Sequence, residues 1–132
     1  MKKSKRVKNM NQIEFKILFR APKYPVIIVS ANRLYSAFDI NQLAEGCISS
    51  VPIENKDYIQ VVDSTGSEFW YMPKHYTLSP GFVFKKWTKK QIIETFNNSA
   101  SEKRILQEYS MKSLSSKRLD KIIHDICTIL KS

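Results

Sequence analysis

Glycine is scarce in this chain, three residues among 132, and neither a GxxxxGK(S/T) loop nor a GxGxxG turn occurs. The glycine-built backbone cradles of nucleotide-binding loops are therefore excluded. Histidine and cysteine number two each, with no CxxC, no HExxH and no zinc-ligand spacing. A zinc site has no sequence basis, and two thiols cannot staple a disulfide scaffold. Proline is held to five residues and 42% of the chain is hydrophobic, so it can bury a core and is not a disordered tract. The longest aliphatic run is Val26-Ile27-Ile28-Val29, far below the ~20 apolar residues of a membrane span. The basic start lacks the apolar segment of a secretory signal. With unpaired cysteines, these absences give the expectation of a cytoplasmic protein with no membrane role.

Acidic residues are in the minority, 12 against 22 Lys and Arg, for a net charge of +10. The excess is uneven. Lys2, Lys3, Lys5, Arg6 and Lys8 stand within residues 1–11 with no acid among them, and they carry half of it. A run of this kind is an interaction arm for an anionic partner or a solubilising leader. Lysine outnumbers arginine 17 to 5. Lysine acts as a mobile point charge where arginine forks read guanine or phosphate, so any nucleic-acid contact is expected mainly at the backbone.

Hydrophobic spacing orders the rest. Ile13, Phe15 and Ile17 alternate with Glu14 and Lys16 as in a half-buried strand, and Val26–Val29 suits a buried one. The two can pair as an antiparallel ribbon across the Pro22–Pro25 turn. Asp39 is a helix cap with Gln42 three residues on, and a short helix is expected from Ile40 to Glu45, stopping at Gly46. Tyr58–Val62 and Glu68–Met72 form a hairpin about Gly66, His75–Gly81 a loop, and Phe82–Phe84 a short strand. Thr88 and Gln91 make a capping box for a helix carrying Ile92, Ile93 and Phe96. A further helix follows Ser99 with Ile105, Leu106 and Tyr109. The last carries Leu119, Ile122, Ile123, Ile126, Ile129 and Leu130 at a 3.6-residue period. The expected class is α+β: a small, mostly antiparallel sheet of about five strands, one short inserted helix and three C-terminal helices. The expected organisation is a basic flexible tail over 1–11, an α+β core over 12–98 and a helical hairpin over 99–132 packed on that core.

No catalytic set is assigned. His124 and Cys127 are two potential ligands only, and the spacing favours a core thiol beside a flanking histidine. Cys47 has no base at a readable spacing. Asp57, Asp63 and Glu68 surround the hairpin, but a nuclease-like pattern wants a lysine at position 70, where Trp70 stands. Asp63 reads as a turn residue and Glu68 as the first residue of the return strand. No metal and no cofactor are implied.

Residues 69–90 interleave aromatic rings with bases, the pattern of single-strand grooves in which rings stack on bases and ammonium groups follow phosphates. The expected nucleic-acid-binding residues are Trp70, Lys74, Tyr76, Lys85, Lys86, Lys89 and Lys90, joined by Lys2, Lys3, Lys5, Arg6 and Lys8. The leading reading is a small, non-catalytic nucleic-acid-binding accessory protein with DNA or RNA as partner. The alternatives are a protein-interaction module acting through the C-terminal helices, and a small metal-independent RNase.

Overall fold

The computed structural model describes residues 4–8, 14–31, 33–52, 56–81, 85–99, 109 and 116–131, with 4–8 described as backbone. The elements are β1 (Ser4–Lys8), β2 (Glu14–Leu18), β3 (Val26–Ser30), β4 (Arg33–Ala37), α1 (Ile40–Ser49), β5 (Ile59–Val62), β6 (Glu68–Met72), β7 (Thr77–Pro80), α2 (Lys89–Asn97) and α3 (Leu119–Lys131). The class is α+β, with one helix inserted between strands and two helices near the C-terminus. The seven strands form one sheet in the order β1-β2-β7-β6-β5-β3-β4. Every pairing is antiparallel except β2–β7, which is parallel through Lys16–Thr77 and Ile17–Leu78.

Several expectations are corrected by this topology. β2 and β3 do not pair, because β3 lies between β4 and β5. All five residues of β3 are buried, and such a strand requires neighbours on both edges and cover on both faces. The 75–81 loop contains β7, and Arg33–Ala37 forms an edge strand joined to β3 by a two-residue connection that begins at Ala31, φ 53°. α1 continues through Gly46 to Ser49. Gly46 is spared its usual stop role because it faces the sheet so closely that a Cβ there would lie 2.6 Å from Ile28 Cδ1. Within residues 1–11, β1 pairs along β2 from Ser4–Leu18 to Lys8–Glu14, covering an edge that would otherwise present open hydrogen-bonding groups. The strand expected at Phe82–Phe84 and the helix with Ile105 and Leu106 lie outside the described residues, as do Lys2 and Lys3.

The capping expectations correspond to local hydrogen bonds. Asp39 accepts from Gln42 N at 2.9 Å, while Gln42 Oε1 accepts from Phe38 N at 2.7 Å. Thr88 and Gln91 exchange backbone and side-chain bonds as a complete box. The period-2 alternation of the strands then fills two cores. On one face Phe15, Ile17, Val26, Ile28, Ile59, Val61, Phe69, Tyr71 and Leu78 pack with Leu43, Ala44 and Cys47 of α1. On the other, Ile27, Val29, Leu34 and Val62 receive Ile92, Ile93 and Phe96 of α2 and Ile122, Ile123 and Ile126 of α3. α1 touches β3 and β4 near one edge of the sheet and β1 at the other, so the sheet curls around it. Each buried isoleucine contributes roughly 1.5–3 kcal/mol, which explains how short helices hold their places.

Tyr71 is buried and stacks on Phe15 at 5.6 Å, but its hydroxyl finds no hydrogen-bond partner among the described residues. A buried unpaired hydroxyl costs about 1–3 kcal/mol. Tyr71→Phe is therefore expected to leave stability unchanged or raise it by about 1 kcal/mol. A clear drop in the urea midpoint would show that the hydroxyl is bonded after all.

Tyr109 anchors the connection between α2 and α3. Asn97 Nδ2 donates to its carbonyl at 3.1 Å and its N–H donates to Asn97 Oδ1 at 2.9 Å. Its hydroxyl donates to Asp125 Oδ2 at 2.6 Å, and Lys117 and Lys121 reach the same carboxylate at 2.9 and 3.0 Å. Burial works to raise the Asp125 pKa, but the bonds from Tyr109, Lys117 and Lys121 prevail and lower it from 3.8 to about 2. The depressed folded-state value means that this contribution is present above about pH 4 and is lost as pH falls through 2. Tyrosine near-ultraviolet signals should change over that window in the native protein and not in Asp125→Asn. Identical acid profiles for the two proteins would contradict this anchor.

Candidate nucleic-acid interface

The site is organised by Glu68, the first residue of β6. Its side chain is 4% exposed, yet both carboxylate oxygens are engaged. Oε2 accepts from Trp70 Nε1 and Oε1 from Trp87 Nε1, each at 2.7 Å. One acid thus clasps two indoles that are 17 residues apart in sequence. The backbone reinforces it. Glu68 N donates to the Lys85 carbonyl at 3.1 Å, Trp87 N to the Gly66 carbonyl at 2.8 Å, and Ser67 bridges Lys86 in antiparallel fashion. The 85–87 segment is therefore zipped along the start of β6. Gly66 permits this at φ 85°, with no room for a side chain: a Cβ would lie 2.7 Å from Leu119 Cδ2 and 3.1 Å from the Trp87 carbonyl oxygen.

Beside this zip lies an open cleft of about 500 Å³, lined by Phe19, Arg20, Ser67, Glu68, Pro80, Lys85 and Lys86. Pairing brings its walls together. The β2–β7 register sets the end of β2 beside the end of β7, and Phe69–Pro80 sets the start of β6 next to it. Phe19 follows β2 with φ 68° and its ring is 72% exposed. A left-handed backbone costs a non-glycine residue about 1–2 kcal/mol; Ala31 and Tyr76 adopt it too, at φ 53° and 50°. Arg20 lies with its guanidinium 5.0 Å from the Phe69 ring centre, and Lys85 with its ammonium 5.4 Å from that of Trp87. Among the described residues, Arg20, Lys85 and Lys86 make no ion pair.

The residues expected from sequence are divided by the fold. Lys85 and Lys86 line the cleft. Trp70 does not line the cleft; it donates to Glu68 and stacks on Tyr58, ring centres 4.1 Å apart and planes 12° apart. Lys74 and Tyr76 are exposed in the β6–β7 turn, at the other end of the hairpin, about 13 Å away by strand rise. Lys90 is exposed on the first turn of α2, whereas Lys89 donates to the Lys117 carbonyl at 2.9 Å and ties α2 to the approach of α3. Lys5, Arg6 and Lys8 lie in β1, where Lys5 is paired with Ile17 near the cleft end and Lys8 with Glu14 at the other. Sequence reasoning missed Phe19 and Arg20. Their signal was an aromatic and a base just past a strand end and before Pro22.

Two of the three acids around the hairpin, Glu68 and Asp63, make structural hydrogen bonds, whereas Asp57 is exposed. Asp63 is buried and accepts from Lys23 N at 3.0 Å, Thr65 N at 2.9 Å, Thr65 Oγ1 at 2.6 Å and Ser67 N at 3.1 Å. Among the described residues no group of three or more His, Cys, Asp or Glu could hold a metal ion. Cys47 and Cys127 are buried, and burial pushes both thiols up. His124 is exposed, edge-on to Phe38 at 6.0 Å.

No protein-family model, curated protein or solved structure matches the chain. The site must be read from its own chemistry: an exposed ring at Phe19 and three exposed cations, Arg20, Lys85 and Lys86, that make no ion pair among the described residues. No helix among the described residues is long and apolar enough to cross a membrane.

Proposed function

We propose that the protein is a small, non-catalytic nucleic-acid-binding accessory protein that takes a single strand at the Phe19–Lys86 cleft, largely through its backbone. The observation that carries this reading is the strained, exposed Phe19 ring set beside Arg20, Lys85 and Lys86. Ring and cations supply the two interactions a single strand requires, base stacking and phosphate neutralisation. A duplex keeps its bases stacked on each other and cannot offer one to Phe19. β1 adds further bases along the neighbouring sheet edge. The isoleucine stripe of α3, one feature that would serve a protein partner, is buried inside the fold at Ile122, Ile123 and Ile126.

Fluorescence anisotropy with labelled single-stranded and duplex oligonucleotides, at low and near-physiological salt, tests the proposal. The single strand should bind more tightly, and the preference should survive the higher salt. Phe19→Gly should weaken single-strand binding roughly tenfold, from a stacking contribution of about 1–3 kcal/mol per base. The same substitution relieves the left-handed strain, so thermal stability should stay level or rise slightly. Wild-type affinity in Phe19→Gly, or equal affinity for both nucleic-acid forms, would overturn the assignment.

A further inference from the structure

The sheet ends in two unlike edges. β1 closes one of them with Lys5, Arg6 and Lys8, and a charged edge strand of that kind resists pairing with another chain. β4 closes the other with Arg33-Leu34-Tyr35-Ser36-Ala37, which holds no lysine, no proline and no bulge. The β3–β4 register fixes which of its backbone groups stay open. A two-residue hairpin connection closes on a hydrogen-bonded pair, here Ser30–Arg33, and such pairs alternate along an antiparallel ladder. Arg33, Tyr35 and Ala37 therefore bond to β3, and the N–H and C=O groups of Leu34 and Ser36 point away from the sheet. No strand among the described residues pairs with them. Beside them a groove of about 350 Å³ runs between the edge and α1, lined by Tyr35, Ser36, Gln42, Glu45, Gly46 and Ser49, so the edge is reached from solvent. The Tyr35 side chain is 43% exposed there.

Charge selects the occupant. A net charge of +10 repels a second copy from most directions. Residues 34–55, however, contain no lysine or arginine, and Asp39 and Glu45 are exposed among them. This surface offers nothing to a polyanion, whereas a second copy brings its own Arg33. We propose that β4 is a self-association edge, pairing antiparallel with β4 of a second copy about a two-fold axis at Tyr35. The register follows from the open groups. Leu34 of each copy exchanges both N–H···O=C bonds with Ser36 of the other, and Tyr35 meets Tyr35 as the close, non-hydrogen-bonded pair. Arg33 of each copy, exposed at the strand start, faces Ala37 of the other, two residues before the exposed Asp39, so base approaches acid on either side of the axis. Such a pairing is closed, since each copy uses its single β4 edge. The Phe19 cleft lies at β2, β7 and β6, away from β4 in the strand order, and stays open in the pair.

Sedimentation equilibrium of the full chain at near-physiological salt, from micromolar to millimolar concentration, tests this. The mass should rise with concentration and level off at twice that of one chain. Tyr35→Lys sets like charges opposite each other on the axis and should raise the dimer dissociation constant about tenfold. Its side chain is exposed in the single chain, so the thermal stability of the dilute protein should be unchanged. A second readout needs no substitution: in the wild type, hydrogen exchange at the Leu34 and Ser36 amides should slow as concentration rises. A single-chain mass over the whole range would overturn the proposal. A dimer that Tyr35→Lys leaves intact would also overturn it, because another surface then holds the copies together. A mass climbing past two chains would do the same, because a closed pair has no further β4 edge to offer.

Discussion

Glu68→Leu is expected to cost about 2–3 kcal/mol of folding stability, because it removes the carboxylate that accepts from the buried Trp87 indole and the half-buried Trp70 indole. The carboxylate is the acceptor for both Trp70 Nε1 and Trp87 Nε1 at 2.7 Å. Leucine fills similar space and removes a buried charge, which recovers part of the loss, but it cannot accept from either indole. Glu68→Gln should cost less, since its carbonyl oxygen still accepts one indole while its amide nitrogen faces the other as donor to donor. Trp87→Phe combined with Glu68→Leu should cost less than the sum of the two single changes, the mark of residues sharing one hydrogen-bond network. Urea denaturation of the wild type, the three single variants and the double variant gives these differences directly. A Glu68→Leu midpoint close to that of the wild type would show that the clasp is dispensable, and that backbone zipping alone holds the 85–87 segment.

The same residue illustrates what was legible in the chain. Features set by neighbours in sequence could be read. Asp39 with Gln42, Thr88 with Gln91, the turn at Asp63–Gly66 and the stripe of α3 all declare themselves within a few positions. Features set by pairing could not. β4 offers Arg-Leu-Tyr-Ser-Ala and β7 Thr-Leu-Ser-Pro, with one strongly apolar residue each on a short edge or parallel partner, so neither has a clear alternation. The parallel contact of Lys16 with Thr77 joins residues separated by most of the sheet-forming chain, and no local signal announces it. The site divides in the same manner. The lysines and aromatics of 69–90 stand out in sequence, but Phe19 and Arg20 enter only through the β2–β7 pairing. Glu68 looked like the opening residue of a strand, which it is. Its second task, clasping Trp87, depends on the 85–87 segment folding back along β6.

Removing the three cleft cations should have the largest effect on binding. Arg20→Ala, Lys85→Ala and Lys86→Ala together are expected to weaken single-strand affinity at least tenfold at low salt. Each neutralised phosphate releases about 0.7 of a counterion from a single strand, so losing three contacts should flatten the slope of log affinity against log salt by about 2. Stability should be little changed, because all three side chains lie at a solvent-facing rim and make no ion pair among the described residues. Two comparisons separate a site from general attraction. Lys74→Ala removes one charge of the same kind at the far end of the β6–β7 hairpin, and should change the slope by less than any one of the three. Neutralising Lys2, Lys3, Lys5, Arg6 and Lys8 should lower affinity for single strand and duplex alike, because charge without a ring has no means of preferring an unstacked base. The decisive result is the preference itself. If the triple variant loses affinity for both forms equally and keeps the wild-type ratio between them, the cleft supplies charge only. If the ratio collapses towards one, ring and cations act on the same strand, as their placement around one opening requires.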